Sequence, residues 1–457
     1  MFGTRARHAV IALMLAVAAA SALPVTASAS VNTQTGTLAD GATWLIEVPT
    51  PWNGTLLLYS HGYVVPGTPN PARDVGDPGT RAFLLANGFA LAGSSYAHAG
   101  WALQEAIPDQ LATLDLFTTM FSAPTRTIAW GHSLGGIITA ELLQSAPGRF
   151  TAALPMCGVL AGGVGTWNQA LDSQFAIQQL LPGAGGLQIV HISSPSANLN
   201  NAEGVIFAAQ QTAAGRARLA LASALGDLPG WFDPASPEPA ATDYVSQEAN
   251  QFSWITQVDA PFLFALRAEL EFRAGGNPSW NTGVNYAKQL ANSVDLPEVQ
   301  ALYQAAGLSL DADIATLNAA PRVSADDSAL AYLEQNVVFN GDLGGKPVLT
   351  MHTTGDGLVV NTDEQAYRAV VNKAGNGPLL REVFVHRAGH CTFTPAETVA
   401  ALQALISRIN TGHWAGVTDP GTLNASAAAL GPLNVAPAAF ISFEPARFLR
   451  PFDSNNV

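Results

Sequence analysis

The chain has 457 residues, of which 48% are hydrophobic and only 12% charged, so it can bury one large core with an insertion, or two domains. Acidic residues outnumber basic ones 34 to 20, for a net charge of −14. With no basic stripe anywhere, that balance argues against nucleic acid or an anionic lipid surface as a partner.

The amino terminus reads as an export signal. Arg5, Arg7 and His8 form a basic start, residues 9–20 are apolar, and Ala27-Ser28-Ala29 is an A-x-A cleavage site. No adjacent Arg-Arg pair occurs, so a general secretory route is expected rather than the twin-arginine one. The apolar run is short and Pro24 breaks it, which speaks against a membrane anchor. The protein is expected to be secreted and cleaved near Ala29, with domain boundaries at 1–29 (signal), 30–158 (first part of the core), 159–340 (insertion), 341–412 (second part of the core) and 413–457 (extension on the core).

Residues 35–48 read as a hairpin around Asp40-Gly41. Thr55-Leu56-Leu57-Leu58-Tyr59-Ser60 is a continuous apolar strand, as expected of a parallel sheet buried on both faces. It ends in His61-Gly62-Tyr63. A Pro- and Gly-rich loop, a helix ending at Asn87-Gly88, a strand over residues 89–96 and an amphipathic helix over 104–120 follow. A β-branched run, Thr125-Arg126-Thr127-Ile128-Ala129, then leads into Trp130-Gly131-His132-Ser133-Leu134-Gly135-Gly136 and a helical segment.

Strand, G-x-S-x-G, helix is a nucleophile elbow. Gly131 and Gly135 flank the serine because a Cβ at either place would collide with the neighbouring strand or helix. The strained turn would hold the Ser133 hydroxyl at the carboxyl edge of the sheet. Residues 151–158 read as a sixth strand. From 159 to 340 the pattern becomes Ala-, Leu- and Gln-rich helix, as in 213–225 and 260–272. Trp167, Trp231, Phe232, Trp254, Phe262, Phe264 and Trp280 fall here. Most are expected in a cap core, with one or two lining a substrate pocket.

The sheet resumes over 346–354, followed by Gly355-Asp356-Gly357. Residues 364–371 look helical, and 381–386 read as the last strand, followed by Arg387-Ala388-Gly389-His390-Cys391. Thr394-Pro395-Ala396-Glu397 is a capping box with proline at the first helical position. The tail from about 411 is expected to wrap the surface of the core.

Ser133, Asp356 and His390 occur in the order nucleophile, acid, base. A neutral serine hydroxyl needs a base, and the base needs an acid to fix its tautomer and stabilise the imidazolium. Asp363 is a rival acid and His386 a rival base. His132 is expected to sit beside the nucleophile, and His98 and His352 to be structural. None of these histidines has metal-ligand spacing, and no metal or organic cofactor is expected.

On these motifs the chain resembles the α/β-hydrolase superfamily, and within it secreted bacterial serine esterases with a helical insertion after the sixth strand. The resemblance spans about 31–157 and 340–413. It implies a mostly parallel sheet flanked by helices, and an oxyanion hole formed by the amides of Tyr63, freed by Gly62, and Leu134. It implies hydrolysis of a carboxylic ester, small-molecule or polymeric, through a Ser133 acyl-enzyme. A peptidase or acyltransferase on the same fold, or an idle extracellular binding protein, are the competing readings. His390-Cys391 is also similar to half of the C-S…D…H-C pattern of the tannase and feruloyl-esterase family, in which the cysteine before the serine bonds the one after the histidine. Here His132 precedes Ser133.

The two cysteines, Cys157 and Cys391, lack the spacing of a zinc ribbon or a redox C-x-x-C. In an exported protein they are expected to form one disulfide, from the end of the sixth strand to the histidine loop. Two separate buried thiols are the alternative.

Overall fold

The computed structural model describes residues 30–452; the export signal lies outside the described residues. The strands are β1 (Ser30–Thr37), β2 (Thr43–Thr50), β3 (Thr55–Ser60), β4 (Ala90–Ser94), β5 (Arg126–His132), β6 (Ala152–Met156), β7 (Val348–Gly355), β8 (Leu380–Ala388) and β9 (Phe440–Ile441). Among the described residues they form one nine-stranded sheet in the order β1-β2-β4-β3-β5-β6-β7-β8-β9. The block from β4 to β8 is parallel, and antiparallel partners flank it, β1-β2 on one side and β9 on the other.

Helices α1 (Pro78–Ala86), α2 (Leu103–Met120) and α3 (Leu134–Ser145) fill the crossovers of the first half, and α13 (Thr362–Lys373), α14 (Pro395–Thr411) and α15 (Pro420–Ala428) follow β7. Side chains alternate across a strand, so β3 feeds both faces of the sheet. Leu56 and Leu58 join a core with Leu114, Phe117, Ile137 and Ile138, whereas Leu57 and Tyr59 join one with Leu84, Leu85, Ala400 and Leu405. This is a helix–sheet–helix sandwich of α/β-hydrolase type.

Between β6 and β7 the chain leaves the sheet and runs through α4 (Gly162–Leu180), α5 (Pro195–Gln210), α6 (Ala213–Leu225), α7 (Tyr244–Trp254), α8 (Arg267–Ala274), α9 (Tyr286–Leu290), α10 (Leu296–Ala306), α11 (Leu310–Ala319) and α12 (Asp327–Gln335). Much of this layer packs around a separate apolar core built from Leu171, Phe175, Leu221, Phe264, Tyr303 and their neighbours.

The stretch expected as one helix over 260–272 is helical but not uniformly α. Two π-helical segments, Ile255–Asp259 and Phe262–Leu266, join α7 to α8. Pro261 lies between them. It has no amide to donate and its ring clashes with the carbonyl four residues back, so the helix widens there. The strand at β8 is not the last: residues 440–441 of the tail pair antiparallel with Phe384 and Val385. Farther on, the tail reaches the helical layer. Arg450 bonds Asp172 and the Trp280 carbonyl, and Phe452 packs edge-on against Trp280.

Candidate active site

β5 carries the chain to the carboxyl edge of the sheet, and α3 starts directly after it. Ser133 between them has φ 59° and ψ −125°, a conformation L-residues rarely adopt. The tightness has a visible cause. A Cβ on Gly131 would stand 2.5 Å from the carbonyl oxygens of Gly135 and Ser60, and one on Gly135 would overlap the Ser60 carbonyl outright. The Ser133 amide donates to Met156 O on β6 at 3.0 Å, which fixes the turn to the next strand.

Asp356 and His390 leave the same edge on neighbouring strands, β7 and β8. The His390 Nδ1–H donates to Asp356 Oδ2 at 2.7 Å. Asp356 is fully buried, and its Oδ1 accepts from the amides of Leu358 and Val359, each at 3.1 Å. Burial alone would raise this carboxyl, but His390 and His352 hold it below the usual carboxylate range. Ser133 and His390 line one cavity of about 350 Å3. No Ser133–His390 hydrogen bond is formed in this conformation; such bonds commonly tighten only around substrate.

Neither rival enters the Asp356–His390 pair. Asp363, the second residue of α13, lines the same cavity but accepts from the Ala161 amide at 3.2 Å, and burial lifts its carboxyl to about 7. His386 is exposed, packed against Trp231 and 3.5 Å from Glu238, and does not line the cavity. His132 precedes Ser133, with its Nδ1 3.1 Å from Tyr59 Oη, and burial lowers it to about 4. His98 is an exposed partner of Glu105.

His352 is more than a filler. It is fully buried, 3.0 Å from Glu364 and 3.5 Å from Asp356. Burial would lower its pKa, but those two carboxylates push it up to about 10. It is a buried cation behind the Asp356 carboxylate. The signal in the sequence was its spacing, four residues before Asp356 and twelve before Glu364, which reads as ordinary strand and loop without the fold.

Gly62, Tyr63 and Leu134 line the cavity beside Ser133. The Leu134 amide is the first of α3, a donor that a helix start leaves without an intrahelical partner. The Tyr63 amide has no partner among the described residues. The loop that carries it is pinned by His61, whose ring nitrogens lie 2.7 Å from Gly62 O and 3.2 Å from Ser95 O and whose ring stacks on Tyr96.

Cys157 and Cys391 form a disulfide with Cα atoms 5.4 Å apart. Cys157 follows Met156, which pairs in register with His132, so the bond reaches Cys391 from the strand next to β5. Cys391 Sγ lies 3.3 Å from His390 Nε2. The ligand atoms of Cys157, His390 and Cys391 cluster within 4.8 Å, but the two sulfurs are bonded to each other and offer no thiolate to a metal.

The rest of the cavity wall is largely apolar and comes from three sources. The core gives Trp101 and Val359, the insertion between β6 and β7 gives Val159, Trp167, Leu228, Ile255, Phe262 and Leu263, and the tail gives Phe448. Of the seven insertion aromatics, Trp167 and Phe262 line it, while Trp254 and Phe264 are core. Asp259 and Phe448 line it as well. Sequence reasoning passed over both, though an aspartate before Ala-Pro in an apolar helix is an irregularity that could have drawn notice.

The fold, with a serine elbow and a histidine-bound aspartate at the ends of its parallel strands, defines an α/β-hydrolase. The chain is 31% identical over 430 residues to o-phthalyl amidase of Xanthobacter agilis, covering 86% of this chain and 90% of that protein, and it belongs to the same family. It is thus a hydrolase of ester or amide bonds. No family model matches the chain. Solved structures similar to it include feruloyl esterase B of Aspergillus oryzae (15% identity, 84% of this chain, 82% of that one, TM-score 0.46). Another is the cell-wall-degrading esterase LipA of Xanthomonas oryzae (13% identity, 85% and 92%, TM-score 0.36). Among the described residues no helix is long and apolar enough to cross a membrane.

Proposed function

We propose that the protein is a secreted serine hydrolase that cleaves an amide or ester of an aromatic acyl group through a Ser133 acyl-enzyme. The observation that carries the reading is the 2.7 Å Asp356–His390 pair lining the same cavity as the strained Ser133. His390 Nε2 takes the Ser133 proton as Oγ attacks the acyl carbon. Asp356 holds Nδ1–H and so keeps Nε2 free to accept. The oxyanion meets the amides of Leu134 and Tyr63, each donor lowering the barrier by about 3 kcal/mol. His390 then returns its proton to the leaving nitrogen or oxygen, and the C–N or C–O bond breaks. Water, deprotonated by the same histidine, releases the acid. No step requires a metal or an organic cofactor.

The amide joins the ester in this reading because the family relative is named an amidase. An aromatic acyl group suits a cavity of about 350 Å3 walled by Tyr63, Trp101, Trp167 and Phe262, and the relative's name specifies an aromatic acyl group. Residues 159–340 act here as a cap that sets substrate size. Export is supported by the basic, apolar and A-x-A features of residues 1–29 and by the disulfide.

A fluorophosphonate probe is expected to label the wild-type protein and not Ser133→Ala or His390→Ala. Benzoyl and 2-carboxybenzoyl 4-nitroanilides and the p-nitrophenyl esters of acetate to octanoate then rank the acyl groups. Labelling that survives Ser133→Ala removes the proposed nucleophile. A preference for octanoate over every aromatic acyl group removes the substrate class.

A further inference from the structure

The loop that carries Tyr63 is held from both flanks. His61 pins Gly62 on one side, with its Nδ1 2.7 Å from the Gly62 carbonyl. On the other side the Gly100 amide donates to Val64 O at 2.8 Å. Tyr63, the proposed second oxyanion donor, stands between these two pinned residues. The aim of its amide therefore depends on where residue 100 is placed.

Residue 100 is placed by the helical layer. Glu269 and Arg273 lie four residues apart on α8 and share one face, where Arg273 Nε donates to Glu269 Oε1 at 2.9 Å. Glu269 Oε2 accepts the Trp101 amide at 3.0 Å, and Arg273 Nη2 donates to Ala99 O at 3.0 Å. Residues 99 and 101 thus hang from α8, while residue 100 between them holds the Tyr63 loop. Gly100 has φ 92°, and a Cβ on it would stand 2.2 Å from Glu269 Oε1, so both the left-handed backbone and the close carboxylate require glycine. Arg273 is anchored again on α2, where its Nη1 donates to Glu105 Oε1 at 2.6 Å. The helical layer also meets the Tyr63 ring, which packs edge-on against Phe262 with centroids 5.3 Å apart.

We propose that Glu269 is a positioning residue for the oxyanion hole: through the Trp101 amide and the Gly100–Val64 bond it sets where the Tyr63 amide points. The helical layer then governs turnover as well as substrate size. Glu269 touches no reacting atom and acts through the backbone of residues 99–101. The inference rests on the oxyanion role of Tyr63 given above and adds the residue that aims it.

Three variants test it on p-nitrophenyl benzoate. Glu269→Ala is expected to lower kcat about tenfold, a part of the roughly 10²–10³ lost when an oxyanion donor is removed outright, and to lower it by more than KM rises. Glu269→Gln keeps an acceptor for the Trp101 amide and is expected to recover most of kcat. Glu105→Gln weakens the hold on Arg273 but leaves the Trp101 bond, so it is expected to lower the melting temperature with kcat within about twofold. Hydrogen exchange read by mass spectrometry needs no turnover: peptides over 62–65 and 99–102 are expected to exchange faster in Glu269→Ala than in the wild type or Glu105→Gln. A merely structural carboxylate would lower the melting temperature in both Glu269→Ala and Glu105→Gln and move kcat in neither. An unchanged kcat in Glu269→Ala, an equal loss in Glu105→Gln, or unchanged exchange over 62–65 overturns the assignment. Fluorophosphonate labelling of the wild-type protein is read separately: its absence fails the proposed nucleophile and leaves the exchange over 62–65 to decide the tie.

Discussion

At the residue scale the choice between two acids turns on charge. Asp356 is held ionised by two histidines and bonded to His390, whereas burial lifts Asp363 to about 7 and it bonds only a backbone amide. An acid that stabilises an imidazolium must be charged, so Asp356→Asn is expected to lower kcat by about 10⁴. Asp363→Asn is expected to change it less than about tenfold, and steady-state rates on a 4-nitroanilide check both. His352 supports the same carboxylate from behind. Replacing it with Ala leaves Asp356 and Glu364 buried without their cation, a loss of about 3–5 kcal/mol measurable by denaturant unfolding. The activity of any folded fraction is expected to fall as well.

At the element scale the histidine loop hangs from β8 and is tethered at Cys391. The bond closes a loop with a sequence separation of 234 residues that contains the whole helical layer. Chain entropy alone limits its contribution to about 5 kcal/mol. Cys391→Ser is expected to lower the melting temperature and kcat together, since the sulfur stands against His390. Titration of the denatured, unreduced protein is expected to find no free thiol, and two per chain would show the bond absent. The tail is a second tie. Arg450 reaches the fully buried Asp172, which also accepts from Tyr286 and Gln289. Burial raises Asp172 despite this pairing, so it can escape a lost partner by taking a proton. Arg450→Ala is therefore expected to cost about 3 kcal/mol at pH 8 and distinctly less at pH 5, by thermal melts at the two values.

Over the whole molecule, stability is expected to fall as pH rises. Burial raises Glu141 and Asp295 to about 7 and Glu298 to about 8. A group whose folded pKa is raised binds its proton more tightly when folded, so its stabilisation is complete below the unfolded value near 4 and is lost through 7 to 8. His352, raised to about 10, adds a second loss between about 6.5 and 10. The melting temperature is expected to be higher at pH 5.5 than at 8.5 and to fall again toward 10. Glu298→Gln is expected to flatten the first limb, and a rise in stability from pH 5.5 to 8.5 would contradict the assignment.

Local physics made much of this protein legible from its sequence. A six-residue run without a charge, Leu56 to Leu58 at its heart, reads as a doubly covered parallel strand, because only such a strand is buried on both faces. The flanking glycines of Ser133 announce a turn with no room for a Cβ, and Thr394 with Glu397 announces the start of α14, since a capping box is a contact between near neighbours. What only the tertiary structure decided are encounters between residues far apart in the chain. His352 becomes a cation because Glu364 and Asp356 close around it, and Phe448 joins the cavity because the tail crosses it. Asp259 turns toward that cavity through a π-helical turn that a 3.6-residue period cannot express. Burial and partner charge set their chemistry, and both depend on which distant segments pack together.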